Sequence, residues 1–295
     1  GPIGDKKNPG QLLERNCGYT PRGIAWFDDI KLAVMPLVNA NNLPSHPTFA
    51  VNLNTETEIP VEAGQPRMEI AWPSRLGPGS RITSGPDGIR VLNGESQPVL
   101  EVAVEPKLLS SAGGWIAFTT KAGKLFRYDM AGNYIELESP KDIRSLQVTA
   151  DGTIWSINMK GELRLHHLPG AGDPNPFRTV VLNANQKPTC LAPGRNGGVF
   201  VGTWDGMVLE LAVDGSELSR MIFKSCPVSC LDVSPRYTRV FVGQFDNMVR
   251  VADVLSGRSV FEFQRFNSVP IAVSLSPSTR KLAIALTNGS IFVAQ

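Results

Sequence analysis

The sequence predicts an all-β fold: a seven-bladed β-propeller, its ring closed by pairing of the N- and C-terminal segments. Three observations predict it. Helical periodicity is nearly absent, since no long stretch keeps apolar residues at i, i+3, i+4 and i+7. Short apolar or alternating runs recur instead, bounded by Gly, Pro, Asn and Asp, as strands are. These runs return with a period of about 40–45 residues and roughly four strands per unit, the spacing of propeller blades.

One motif carries the repeat: apolar strand, tight turn, apolar strand. Its copies are Arg81–Leu92, Trp115–Tyr128, Thr153–Leu165, Val199–Leu211, Val240–Val251 and Leu282–Val293. The turn pairs Asp87-Gly88, Lys160-Gly161, Asp205-Gly206, Asp246-Asn247 and Asn288-Gly289 suit the positive φ of a hairpin bend. A proline opens another apolar run before each hairpin: Pro66, Pro106, Pro140, Pro188, Pro227 and Pro270, with Pro21 ahead of them. From Pro21 to Pro270 six steps cover 249 residues, or 41.5 each. Proline is tolerated at the first residue of a strand, before a ladder donor is needed.

Taken in order, the blades start near residues 19, 66, 106, 141, 187, 226 and 268, and residues 1–295 form one domain. Blade one reads as strands at Ile24–Phe27, Ile30–Leu37 and Phe49–Leu53, with a polar loop at Asn39–Pro47. Blade four carries a comparable loop at Gly170–Pro176. The last unit, Ser268–Gln295, holds only three strands, and the segment around Gln11–Asn16 is expected to supply the fourth. Closing the ring this way removes exposed sheet edges. The chain begins Gly-Pro without Met, as a piece cut from a longer protein would, so residues 1–18 are either that closing strand or a tail.

Composition fits a folded protein. The 295 residues are 42% hydrophobic and 19% charged, outside the range of general disorder. Lys+Arg 29 against Asp+Glu 27 leaves a net charge of +2, so no global field draws nucleic acid or an anionic membrane. Four cysteines are too few for a disulfide framework in a chain this long. With no apolar run of spanning length and no leader pattern, the expectation is a cytoplasmic or nuclear location without membrane insertion.

The segments Val228–Val254 and Val199–Val213 carry a family likeness. The first resembles the WD-repeat order of inner strand, Ser-Pro turn, second strand, Asp turn and third strand, and Ser276-Pro277 repeats the Ser-Pro turn. The chain thus resembles a divergent WD-repeat (WD40-like) propeller. It lacks the strand-ending Trp-Asp dipeptide, and its three histidines, His46, His166 and His167, leave no Gly-His motif. The resemblance implies a protein–protein interaction scaffold that binds peptides on the face around the mouth of the central channel.

Residues that carry chemistry are sparse. Cys226 and Cys230 have no His nearby, and Cys190 occupies a similar place one blade earlier, so all read as small buried hydrophobes. His166 and His167 point to opposite faces of a strand. There is no Gly-x-Ser-x-Gly elbow and no Walker-type phosphate loop. The expectation is a non-enzyme with no catalytic residues, no metal site and no cofactor. The enzyme alternative is a lactonase- or lyase-type propeller with a divalent cation at the channel mouth, which Ala150–Ile157 and Asn196–Thr203 loosely resemble.

Two features point to binding. Trp204 and Phe245 precede the turn Asp in blades five and six, where other copies place Pro86, Ala122, Lys160 and Thr287. Aromatics in matching turns of adjacent blades are natural anchors. Trp26, Trp72, Trp115 and Trp155 read as core. In addition, a basic residue adjoins the strand-leading proline in blades one to five: Arg22, Arg67, Lys107, Lys141 and Lys187, with Arg144 close behind. Glu69, Glu105 and Asp142 are near enough to neutralise part of this arc. The arc would select an acidic or phosphorylated partner segment. A nucleic-acid-binding propeller is the other alternative, disfavoured by the small net charge.

Overall fold

A computed structural model describes residues 1–36, 49–60, 81–138, 141–170, 172–183 and 186–295. These residues form seven antiparallel sheets, six of four strands and one of three. The helical content described is two 3₁₀ turns, Ile3–Asp5 and Arg195–Gly197. The fold is a seven-bladed β-propeller.

Blade three shows the plan. Leu108–Ala112 is the inner strand, followed outward by Trp115–Thr119, Leu125–Asp129 and Tyr134–Leu137. Blades one, four, five and six repeat it, with inner strands Pro21–Trp26, Ile143–Val148, Pro188–Pro193 and Val228–Val233. Blade two shows Arg81–Gly85, Gly88–Leu92 and Pro98–Val102. Its expected inner strand, with Pro66, Arg67, Glu69 and Trp72, lies outside the described residues, as does the loop Asn39–Pro47.

Second strands such as Ile154–Asn158, Val199–Thr203 and Leu282–Leu286 are buried along their whole length. Each is clamped between two neighbouring blades. Continuous apolar runs therefore replace the alternation of a one-sided sheet. Outer strands such as Glu217–Ile222 are largely open to solvent, with Met221 the one buried residue of that strand.

Blade seven joins the chain ends. Its strands Pro270–Leu275, Leu282–Leu286 and Ser290–Ala294 are completed by Gln11–Asn16, which pairs with Ser290–Ala294 from Gln11 opposite Ala294 to Asn16 opposite Ser290. Gly10 and Gln295 exchange two backbone hydrogen bonds of 2.8 Å at the end of this ladder. Residues before the strand are also docked. Ile3 is fully buried beside Phe241, Val251 and Ile284, and its N–H donates to Thr279 O at 2.9 Å. Asp5 pairs with Arg239 at 3.0 Å. The N-terminal segment is thus a closing strand preceded by a plug between blades six and seven.

Five inner strands carry a bulge at one recurring position, on Arg22, Arg144, Thr189, Ser229 and Ile271. A bulge re-aims its side chain. Arg144 Nη2 donates to Pro188 O (3.0 Å), Thr189 Oγ1 to Val228 O (2.7 Å) and Ser229 Oγ to Pro270 O (2.6 Å). Each bond reaches the start of the next blade's inner strand. At these three steps a free backbone acceptor of one blade is satisfied by a side chain of its neighbour.

Candidate functional site

The inner strands begin, and the second strands turn into the third, at one end of the propeller. At this end a cavity of about 510 Å³ opens over blades four to seven. Its rim is set by the residue that follows each second strand. Met159, Trp204, Phe245 and Thr287 each donate a backbone N–H to the residue just before or opening the local inner strand: Asp142 O (2.7 Å), Lys187 O (2.8 Å), Pro227 O (3.1 Å) and Val269 O (2.9 Å). The backbone is tied to the blade and the side chain is left at the rim. Met159 is 63% exposed, Trp204 60% and Phe245 50%. The Trp204 and Phe245 rings meet edge to face, with centroids 6.5 Å apart and planes at 66°. Single exposed apolar side chains are ordinary. Three at equivalent positions of adjacent blades, around one cavity, make a patch.

The turns that present these rings are rigid. Thr203 Oγ1 accepts the Met207 N–H at 3.0 Å and donates to Asp205. Gly206 has φ +89°, and a Cβ there would lie 1.9 Å from Lys224 O, so only glycine fits. Under Phe245, Gln244 Nε2 donates to Lys224 O (2.8 Å) and Cys226 O (3.0 Å). The buried Arg250 clamps the same turn, donating to both Asp246 oxygens (3.0 and 2.7 Å), Gln244 Oε1 (2.6 Å) and Glu262 (3.2 Å). Desolvation works to raise the Asp246 carboxyl, but the bonds and charge of Arg250 outweigh it and hold it below the usual range.

Blade four repeats the device. Buried Arg164 pairs with Asp142 at 2.9 Å and lies 4.5 Å from the centroid of the Phe177 ring. Its hydrogen bond is the main cause holding the Asp142 carboxyl low. Asp142 therefore does not neutralise the basic arc, because its charge is committed to Arg164.

The described lining of the cavity holds three cations, Arg144, Lys160 and Lys187, and no carboxylate. Arg144 spends donors on backbone: Nε on Asn158 O (3.2 Å) and Nη2 on Pro188 O (3.0 Å). It bridges blades four and five and leaves its charge at the mouth.

Of the sequence-predicted site residues, Trp204, Phe245, Arg144 and Lys187 line this one cavity. Lys107 and Lys141 are exposed near the start of their inner strands, outside the described lining. Arg22 is the bulged residue of blade one, also outside that lining. Arg67 lies outside the described residues. Sequence reasoning missed Met159. It aligned Lys160 with Trp204, one position late, and Ala122 in place of Thr120. Counting two residues back from the turn glycine, Gly161 or Gly206, gives Met159 and Trp204 directly.

Elsewhere polar groups are engaged in packing. Trp26 and Trp155 are core, while Trp115 is half-buried under the Arg127 guanidinium at 4.1 Å. Burial pushes the Cys190 and Cys230 thiols up to about 11 and 12, and Gly202 and Gly243 leave the space their sulfurs occupy. His166 is buried with Nε2 2.7 Å from Ser156 Oγ, and desolvation lowers its pKa to about 4. Among the described residues no three His, Cys, Asp or Glu side chains cluster as a metal site would need, and no helix is long and apolar enough to cross a membrane.

No family model and no curated protein matches the chain. Solved structures do. The WD40 β-propeller domain of Doa1 matches with a TM-score of 0.73 at 12% identity, covering 98% of this chain and 97% of that one. A chain of the mitotic checkpoint complex matches at 0.70 and 14% identity, over 98% and 96%. Chaetomium thermophilum Raptor matches at 0.72 and 12% identity, over 97% of this chain but 29% of its own length. The fold is therefore that of a WD40 β-propeller. Identities this low show fold alone, and fold does not fix function.

Proposed function

We propose that the protein is a non-catalytic interaction scaffold that docks a short acidic or phosphorylated segment of a partner protein over the cavity at the channel mouth. One observation carries the reading: exposed Trp204 and Phe245, with Met159 beside them, ring a cavity whose described charges are all positive. Large rings on rigid turns lose little entropy on binding, which suits them as anchors. Arg144 and Lys187 supply the charge, with Lys160, and Arg22, Arg67, Lys107 and Lys141 would extend the field around the mouth. No cofactor is required. Four free cysteines, three with raised thiol pKa, suit a reducing compartment, cytosol or nucleus.

The test is fluorescence anisotropy with labelled degenerate nonapeptides carrying a central Asp, Glu or phosphoserine. Binding by the wild type should weaken about 30-fold in Trp204→Ala/Phe245→Ala, the loss of one hot spot of about 2 kcal/mol. Equal binding by the folded double variant would remove the rings from the site.

A further inference from the structure

The cavity is polarised along the ring. Its described cations come from one side: Arg144 and Lys160 from blade four and Lys187 from blade five. Blades six and seven add no cation to the described lining and offer Val228, Phe245, Val269 and Ile271, while Met159, Pro188 and Trp204 carry apolar surface on the cation side as well. Of the carboxylates closest in sequence to this rim, Asp142 and Glu162 are bound to Arg164 and Asp246 to Arg250. Asp205 accepts the Thr203 hydroxyl and keeps its charge, but it lies outside the described lining.

We infer that the site reads a phosphorylated serine or threonine over blades four and five, together with an apolar side chain two to four residues away over blades six and seven. The inference rests on the docking reading above and narrows it in chemistry and direction. Charge balance favours phosphate. Three cations without a lining carboxylate face a ligand group of one charge if it is Glu or Asp, but of about −1.5 to −2 if it is a phosphate. The donors available also favour it. Arg144 has turned its Nε and Nη2 to backbone carbonyls, so it offers field more than a fork for a carboxylate. Lys160 and Lys187 are exposed point charges, which pair with any face of a tetrahedral anion. The spacing comes from the rim. Trp204 and Phe245 mark one blade step of 6.5 Å between ring centroids. Two residues of extended chain span about 6.6 Å. A segment running from blade five to blade six therefore offers residues i and i+2 to successive blades, and i+4 to blade seven.

The experiment uses three degenerate peptide libraries that differ only in the central residue: phosphoserine, glutamate or serine. Each is captured on the wild type, on Lys160→Ala/Lys187→Ala and on Trp204→Ala/Phe245→Ala, and retained peptides are sequenced. The wild type should retain the phosphoserine library roughly 10-fold more than the glutamate one. Apolar residues should enrich two to four positions to one side of the phosphate only. The lysine variant should lose the phosphoserine preference, and the aromatic variant the apolar enrichment. Equal retention of glutamate and phosphoserine peptides would overturn the phosphate assignment while leaving acidic-segment docking intact. Enrichment on both sides, or on neither, would overturn the polarity. Retention of none of the libraries would overturn both readings together.

Discussion

Trp155 and Trp204 sit in neighbouring blades and meet opposite fates. Trp155 lies inside the second strand of blade four, fully buried, with Nε1 donating to Gly197 O of blade five at 2.8 Å. Trp204 lies one residue past the equivalent strand of blade five and is mostly exposed. The residue type is the same and the positions differ by where the strand ends. Within the strand a side chain is clamped between two blades. Past it, the backbone N–H is captured by the inner-strand entry and the ring is left at the rim. Aromatic content thus divides into rings that hold blades together and rings that the blades display.

Substitutions can break this division from either side. Trp155→Ala should have the largest effect, a loss of about 3–5 kcal/mol, read as a fall in melting temperature of roughly 6 °C or more. Arg250→Met strips a buried clamp and leaves Asp246 and Gln244 without it. A cost of about 3 kcal/mol is expected in chemical denaturation, with weakened peptide binding because Phe245 rides on that turn. Ile3→Ala empties the plug between blades six and seven and should cost about 2–3 kcal/mol. It should open the N-terminal strand first, measurable as faster hydrogen exchange at Gln11–Asn16.

Two buried groups sharpen the comparison through pH. Burial raises the Asp232 carboxyl, which accepts the Leu275 N–H at 2.7 Å, to about 6, above its ordinary 3.8. Its protonation stabilises the fold fully below about 3.8, and that contribution is lost as pH rises through 6. Burial lowers His166 from 6.5 to about 4. Its neutral form stabilises the fold above 6.5, and that contribution is lost as pH falls towards 4. The two slopes oppose each other across the same window. Melting temperature measured from pH 4 to 6.5 should rise more on acidification in His166→Gln than in the wild type. In Asp232→Asn it should fall more. Parallel curves for all three proteins would contradict the assignment.

Much of the fold was legible because propeller strands are short and end at turns with strict demands. The hairpins read from Asp205-Gly206 or Asn288-Gly289 are strand pairs in the structure, and Gln11–Asn16 closes blade seven as its missing strand implied. Ile3 was not legible, since one apolar residue among Gly, Pro and Asp carries no period. Nor were Arg164 and Arg250: a charged residue in a strand reads as solvent-facing unless its partners, Asp142 and Asp246, are already placed. The rim was half legible. Trp204 and Phe245 stand out as aromatics before a turn Asp, whereas Met159 precedes Lys160 and looks like ordinary strand end. The polarity of the cavity was hidden, because it depends on which lysines the ring curvature brings to one mouth.

The most direct test of the division between displayed and packed rings is the melting temperature of Trp204→Ala/Phe245→Ala beside the wild type. If both rings belong to a binding surface, the two proteins should melt within about 1–2 °C of each other, as surface substitutions do. A fall of roughly 6 °C or more would place the rings in the core and contradict the docking site built on them.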